Sequence, residues 1–181
     1  MEDKIDFKRI EEYALGDDDI KKILGDDINI VIYPDLEKYN DIDEIFDDKN
    51  RVIILFLTTN EYTGHWLCLH KDENDNIHYF DPYGSGIDKD KKWLSQSKLE
   101  ELNESKVSLL KLLKNTANNG VYYNSYDFQN DKQGINTCGR HCCVRLLFKH
   151  LDLDDYYKMI KKSNLSPDEF VSYITFQIIK K

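Results

Sequence analysis

The nine residues RVIILFLTT, at 51–59, constrain the fold of this chain more than any other segment. Apolar side chains fill both the odd and the even positions of the run, whereas a half-exposed strand would alternate apolar and polar residues. The longest apolar stretch within it, VIILFL at 52–57, is far too short to cross a membrane. The segment therefore predicts a central β-strand that is apolar on both faces.

Segments on both sides of this strand complete an α+β pattern. Further strands are predicted at 28–36, where Pro34 ends the strand, and at 65–70, 76–84 and 120–129. Helices are predicted at 35–46, within 91–114, at 138–149, and from Ser166 onward, where a capping box with Glu169 begins the helix. The fold class is therefore α+β, with a central, mixed and mainly antiparallel sheet flanked by helices. With 181 residues, 40% of them hydrophobic, the chain is predicted to form one domain over 1–181.

Charge and cysteine usage exclude several classes of protein. The formal net charge is −9, so a general basic surface for nucleic acid is not expected. No basic amphipathic stretch indicates a membrane surface, and the charged N-terminus, MEDKIDFKRIEEY, is not typical of a signal peptide. The four cysteines are too few and too crowded for a secreted disulfide scaffold. We therefore expect an intracellular protein that is not secreted.

Three of those cysteines lie in NTCGRHCC, residues 136–143. On a helix Cys142 and Cys143 point about 100° apart, so they cannot converge with Cys138 and His141 on one zinc ion, and no metal site is predicted. Cys142 and Cys143 are most simply small buried residues. Cys138 differs because it opens a helix, where the helix dipole lowers the pKa of a thiol and unpaired N–H groups face a developing oxyanion. It is either a nucleophile or a buried cysteine that happens to begin a helix.

A hairpin places a histidine near a carboxylate. If the hairpin is symmetric about Glu73, His65 faces Asp81, and directly opposed residues have Cβ atoms roughly 4.5–5.5 Å apart. Asp81 would then accept the proton of one ring nitrogen and leave the other nitrogen as a base. The alternative is a surface histidine beside an aspartate at a strand end. His141, one turn after Cys138, is a second candidate base, although a helix N-terminus disfavours a protonated imidazole.

The order His65-Trp66, Asp81, a glutamine and then Cys138-Gly139 resembles a family of cysteine peptidases. That family includes the adenovirus maturation protease, adenain, and the SUMO-specific, Ulp-type proteases. The stretches NIVIYPDL, GHW, FDPYG and TCGRH are more closely similar to the adenain-like predicted proteases of large DNA viruses. The resemblance covers roughly residues 28–150.

This resemblance implies a role for each residue. Cys138 would be the nucleophile, His65 its base and Asp81 the residue that orients His65. Either Gln129, nine residues before Cys138, or Gln133, five before it, would serve the oxyanion hole; the family spacing is six or seven, and Gln129 is preferred as the end of a strand. Substrate binding would involve three residues. Trp66 would cover a narrow channel for small residues of the Gly-Gly or Gly-x-Gly type, beside Gly64 and Gly139.

The resemblance leaves three functions open. The first is a thiol endopeptidase that processes viral precursor proteins, located in the host cytoplasm or in the virion. The second is a deubiquitinase or SUMO-type isopeptidase, with ubiquitin or a ubiquitin-like protein as its partner. The third is a catalytically silent module that binds a Gly-Gly tail. No cofactor is expected, and because the chain is acidic a DNA cofactor is not assumed.

Overall fold

The computed structural model describes residues 5–60 and 63–180. The predicted domain 1–181 also includes residues 1–4, 61, 62 and 181, which lie outside the described residues. Seven α-helices are described: α1 Phe7–Glu12, α2 Asp17–Leu24, α3 Gln96–Glu101, α4 Leu109–Thr116, α5 Cys138–Leu147, α6 Leu153–Lys162 and α7 Pro167–Ile179. The five strands of the described chain are β1 Asn29–Ile32, β2 Arg51–Asn60, β3 Thr63–Lys71, β4 Ile77–Phe80 and β5 Val121–Tyr123.

The five strands form one mixed sheet in the order β1-β2-β3-β4-β5. The pairings of β2 with β3 and of β3 with β4 are antiparallel, whereas the two outer pairings, β1 with β2 and β4 with β5, are parallel. Along the chain, helices lie before, between and after the strands. The predicted α+β class, with a central mixed sheet flanked by helices, is therefore confirmed.

Strand β2 is buried on both faces, as its sequence predicts. Ile53, Leu55 and Leu57 point into a core formed with α2, α5, α6 and α7. The alternate residues Val52, Ile54 and Phe56 point into a second core on the opposite face. Helices α3 and α4 and two 3-10 helices, Tyr33–Lys38 and Ile42–Ile45, cover that second face. In the described part of the chain no helix has both the length and the apolar character needed to span a membrane.

Three predicted elements differ from the structure, and the first is the strand predicted at 76–84, which ends at Phe80. The segment 35–46 is not one α-helix, because the chain forms the two 3-10 helices on either side of an extended Tyr39 and Asp41. The strand predicted at 120–129 ends at Tyr123. There the side chain of Asn124 replaces the backbone ladder: its Oδ1 accepts from Asp81 N at 2.9 Å, and its Nδ2 donates to Asp81 O at 2.6 Å.

The register of the β3–β4 hairpin is shifted by two residues from the prediction. Cys68 pairs with Phe80 and His70 with His78, so the hairpin is centred on Asn74 and not on Glu73. The side chain of Asp72 sets this centre by accepting from Asn74 N at 2.8 Å and from Asn76 N at 3.0 Å. Because strand side chains alternate with a period of two, an even shift keeps every side chain on its predicted face.

Candidate active site

Helix α5 begins at Cys138, as predicted, and its first turn packs against β3. The residue before it, Thr137, is fully buried, and Cys138 is partly exposed. The other three cysteines, Cys68, Cys142 and Cys143, are fully buried in the core. Of the four thiols, only that of Cys138 is therefore placed to meet a substrate.

His65 lies near the start of β3, opposite Phe56 of β2. Its Nε2 is 2.7 Å from Asp81 Oδ1, although the two residues are not direct cross-strand partners. Asp81 follows the last residue of β4, just beyond the paired part of the hairpin. The predicted proximity of His65 and Asp81 is present, although the direct opposition that suggested it is wrong.

Asp81 is held rigidly by backbone donors. Its Oδ1 accepts from Tyr83 N at 2.9 Å, and its Oδ2 accepts from Ser85 N at 3.1 Å. The side chain is fully buried, and Asn124 fixes its backbone. This carboxylate therefore orients the imidazole without reorganising, which is what a catalytic histidine requires of its acidic partner.

His65 and Cys138 line the same cleft, and each shifts the pKa of the other. Since Nε2 contacts Asp81, the ring nitrogen left for the sulfur is Nδ1. Burial alone would lower the pKa of His65, but the hydrogen bonds to Asp81 and Cys138 outweigh it and raise that pKa to about 10. Burial opposes ionisation of the Cys138 thiol, yet the hydrogen bond and charge of His65 lower its pKa. The pair therefore favours a thiolate beside an imidazolium.

A cleft of about 510 Å³ opens over this pair, a volume typical of ligand sites. Cys138, His65 and Gly64 line it together with Gln129. The Nε2 of Gln129 donates one hydrogen to Ile135 O at 3.3 Å, which leaves its second hydrogen for another acceptor. Gln133 is exposed and does not line the cleft. Of the two glutamines, the structure brings only Gln129 to Cys138.

Trp66 does not line the cleft. It is adjacent to His65 on β3 and so points to the opposite face, where it is buried and its Nε1 donates to Leu15 O at 3.1 Å. A Cβ on Gly139 would lie 3.1 Å from Trp66 Cδ1 and 3.2 Å from Leu15 Cβ. Gly139 therefore allows α5 to approach Trp66 closely. The sequence suggested that the space left by this glycine admits substrate; in the structure that space is taken by Trp66 and Leu15.

Gly64 lines the cleft with its backbone, but its lack of a side chain has another cause. A Cβ at this position would lie 1.8 Å from Phe56 O on β2. The β2–β3 register shifts between Leu57 and Asn60, so the two backbones approach closely there. Glycine is therefore required by the packing of the sheet.

The sequence predictions missed two aromatic residues that surround His65. Tyr83 stacks on the imidazole with ring centroids 5.0 Å apart, and Trp93 meets it edge-on at 5.3 Å. Both residues line the cleft, and Trp93 is 40% exposed. An exposed tryptophan directly after two lysines, in KKW, was the available signal.

The sequence predictions also missed Asp90, which lies behind Asp81. Polar atoms of His65, Asp81 and Asp90 lie within 4.8 Å of one another; among the described residues this is the one group of three histidine, cysteine or acidic side chains close enough to share a metal ion. All three are buried, and His65 already contacts Asp81. We therefore interpret the group as a hydrogen-bonding network. Burial and the charge of Asp81 raise the pKa of Asp90 to about 7.

His141, the alternative base, does not reach the cleft. It is fully buried in α5, and its Nε2 lies 3.0 Å from Asp168 Oδ1. An acidic residue from α7, far along the chain, therefore orients His141. Both residues of this histidine–aspartate pair are buried, and neither lines the cleft over Cys138.

Comparisons with known proteins give a close relative without an assigned activity. No family model matches the chain. The chain is 36% identical over 174 residues to the uncharacterized protein V9 of Sputnik virophage, and the match covers 94% of this chain and 98% of that protein. The central domain of the uncharacterized Lpg1148 protein from Legionella pneumophila is similar over 93% of this chain and 99% of that domain, with 16% identity. Its TM-score of 0.37 is too low to support any inference.

Proposed function

We propose that this chain, which belongs to the same family as the uncharacterized protein V9 of Sputnik virophage, is a thiol-dependent endopeptidase. One observation carries the proposal: Cys138 and His65 line the same cleft, and the Nε2 of His65 lies 2.7 Å from Asp81 Oδ1 behind it. The pKa shifts in the pair have the directions that a nucleophilic thiolate needs. The resemblance to the adenain-like and Ulp-type peptidases assigns the same three residues the same roles.

The proposed reaction is acyl transfer through a thioester. The Cys138 thiolate attacks the carbonyl carbon of the scissile bond, and negative charge develops on its oxygen. Two donors are available to that oxygen: the N–H of Cys138, unpaired within the helix because it is the first residue of α5, and the second amide hydrogen of Gln129. Removing one such donor typically costs about 2.7–4 kcal/mol of transition-state stabilisation.

His65 acts as the general acid in the first half-reaction and as the general base in the second. Its imidazolium transfers a proton from Nδ1 to the leaving amine as the C–N bond breaks. The neutral imidazole then takes a proton from water, which attacks the thioester carbonyl. The C–S bond breaks, and the thiolate–imidazolium pair is restored. Asp81 keeps its hydrogen bond to Nε2 throughout and stabilises the charged ring.

The cleft supports a preference for small residues before the cleaved bond. The rings of Tyr83 and Trp93 pack against His65 and against each other, with centroids 5.7 Å apart for the last pair. They narrow the approach to Cys138, which suits the Gly-Gly or Gly-x-Gly sites implied by the family resemblance. The proposed substrate is a viral precursor protein; the relative that is 36% identical to this chain comes from a virophage.

Cleavage by matched cysteine variants tests the proposal. Purified protein is incubated with a fluorogenic peptide library that carries Gly-Gly and Gly-x-Gly before the scissile bond. The wild type and Cys143→Ala should cleave, and Cys138→Ala should not, although all three should unfold cooperatively. Cys143 is the control because it lies on the same helix but is sealed in the core. Retained cleavage by Cys138→Ala would exclude Cys138 as the nucleophile.

Electrophilic probes separate the remaining alternatives. Ubiquitin and SUMO that end in a vinyl electrophile are offered to the same variants. Labelling of Cys138 by such a probe, without cleavage of the peptides, would favour the isopeptidase. Absence of both cleavage and labelling would favour the silent binding module and would contradict the proposed endopeptidase.

A further inference from the structure

A carboxylate from α7 lies behind the loop that joins Gln129 to Cys138. Asp168 is 4% exposed, and three groups donate hydrogen bonds to it. Its Oδ1 accepts from Thr137 Oγ1 at 2.5 Å and from His141 Nε2 at 3.0 Å. Its Oδ2 accepts from Asn130 N at 3.0 Å. Because a carboxylate only accepts, Nε2 must be the ring nitrogen of His141 that carries the proton.

These donors flank the two ends of the candidate site. Asn130 directly follows Gln129, and Thr137 directly precedes Cys138. Between them, residues 130–133 are exposed, so the core holds that part of the loop weakly. Through Asn130 and Thr137, Asp168 therefore links the backbone next to Gln129 with the backbone next to Cys138.

Thr137 donates its hydroxyl to Asp168 and does not cap α5 with it. It is the N-cap of α5, where a threonine hydroxyl normally accepts from an N–H of the first turn. Here its side chain makes no capping bond and donates to Asp168 instead. The N–H groups at the start of α5 thus have no side-chain cap from Thr137, which suits a helix start that faces an oxyanion.

Asp168 is itself supported in its charged form. Burial would raise its pKa, but the hydrogen bonds from His141 and Thr137 lower it below the ordinary value. It also lies in the first turn of α7, behind the N-cap Ser166, where the helix dipole favours an anion. Asp168 therefore meets Thr137 and His141 as a charged carboxylate.

We propose that Asp168 is a positioning residue, which sets the place of Cys138 relative to His65 and of Gln129 relative to both. This inference rests on the proposed function for its catalytic meaning. The direction in which the pKa of Cys138 moves when Asp168 is replaced separates positioning from a purely electrostatic effect. Removing a nearby negative charge would by itself make the thiolate easier to form. Loss of positioning would weaken the contact of Cys138 with His65 and make the thiolate harder to form.

The experiment uses four variants of the full chain. Asp168→Asn removes the charge, and Thr137→Val removes the hydroxyl at nearly constant shape without changing any charge. Thr137→Ser keeps the hydroxyl and is the conservative rescue. Glu169→Gln is the matched control, because this adjacent carboxylate only accepts from Ser166 N, a contact that glutamine retains. The rate of iodoacetamide reaction at Cys138 is measured by mass spectrometry across the pH range, and peptide cleavage is measured in parallel.

The inference predicts that the midpoint of alkylation rises by about 1 pH unit or more in Asp168→Asn and in Thr137→Val. It should stay near the wild-type value in Thr137→Ser and Glu169→Gln. The kcat for cleavage should fall about 10- to 100-fold in the first pair, since a displacement of about 1 Å at the reacting atoms has an effect of this size.

The outcomes separate the inference from the proposed function. Midpoints that fall, or that do not move in either of the first two variants, would overturn the positioning role even if the wild type cleaves. If the midpoints rise in these two variants but the wild type itself cleaves no peptide, the positioning role is supported and the endopeptidase is contradicted. If Asp168→Asn does not fold, the comparison of Thr137→Val with Thr137→Ser decides alone.

Discussion

Replacing Asp90 by asparagine should remove a large part of the pH dependence of stability. Asp90 is 2% exposed, and burial together with the charge of Asp81 raises its pKa from 3.8 to about 7. Between these two values the folded protein binds a proton that the unfolded chain has released. The stabilising contribution is therefore fully present below the unfolded pKa and is lost as the pH rises toward the folded pKa.

The size of the effect follows from the shift. At about 1.36 kcal/mol per pKa unit, the complete loss is about 4 kcal/mol, and the part that falls between pH 5 and pH 8 is about 3 kcal/mol. Asparagine resembles the protonated acid, since its amide donates toward Asp81 but does not titrate. The free energy of unfolding of Asp90→Asn minus that of the wild type should therefore grow by about 3 kcal/mol from pH 5 to pH 8.

Urea unfolding at pH 5, 6, 7 and 8 measures this difference. Glu73→Gln is the control, because Glu73 is an exposed acid in the turn of the β3–β4 hairpin. A difference for Asp90→Asn that stays constant across this range would refute the reasoning. A difference that shrinks toward pH 8 would mean that the folded pKa of Asp90 is lowered and not raised.

Three other substitutions have distinct expected results. Gly64→Ala should destabilise the fold by about 3 kcal/mol or more, because its Cβ would lie 1.8 Å from Phe56 O; urea unfolding close to that of the wild type would contradict the packing role. Trp66→Ala should cost about 3–5 kcal/mol of stability, since this side chain is buried in the core; an unchanged melting temperature would contradict that placement. Trp93→Ala should raise KM more than it lowers kcat, because Trp93 lines the cleft and is partly exposed there; an unchanged KM in steady-state kinetics would remove it from the substrate site.

Local patterns were sufficient to predict the sheet and the position of Cys138. Strand β2 carries apolar residues at every position from 52 to 57, and in a strand this pattern requires burial on both faces. The helical spacing from Cys138 onward likewise predicted α5. The proximity of His65 to Asp81 followed from strand alternation, which is insensitive to an even error in register.

The register itself depends on contacts that periodicity does not encode. Asp75 adopts a positive φ of 60°, and the side chain of Asp72 accepts from two backbone N–H groups of the turn. Together these contacts move the centre of the hairpin from Glu73 to Asn74. Several conformations of KDEND satisfy its polar groups, so the sequence alone does not choose among them.

The role assigned to Trp66 shows how an analogy can be checked by simple geometry. Adjacent residues in a strand point to opposite faces, so Trp66 cannot share the face of His65. Trp93 lies in the cleft although it is 28 residues away from His65 in the sequence. Asp168 lies behind the cleft although it is 30 residues away from Cys138. No local period of a strand or helix predicts contacts over such separations.

The most direct test of the central claim is the ionisation of His65. Imidazole ¹⁵N chemical shifts, recorded by NMR as a function of pH, give its charge in the wild type and in Cys138→Ala. In the wild type, the Asp81 and Cys138 partners should keep His65 protonated well above pH 8. In Cys138→Ala the thiolate is gone, so the pKa of His65 should fall even though Asp81 remains. A histidine that titrates near its ordinary pKa, with the same midpoint in both proteins, would contradict a thiolate–imidazolium pair.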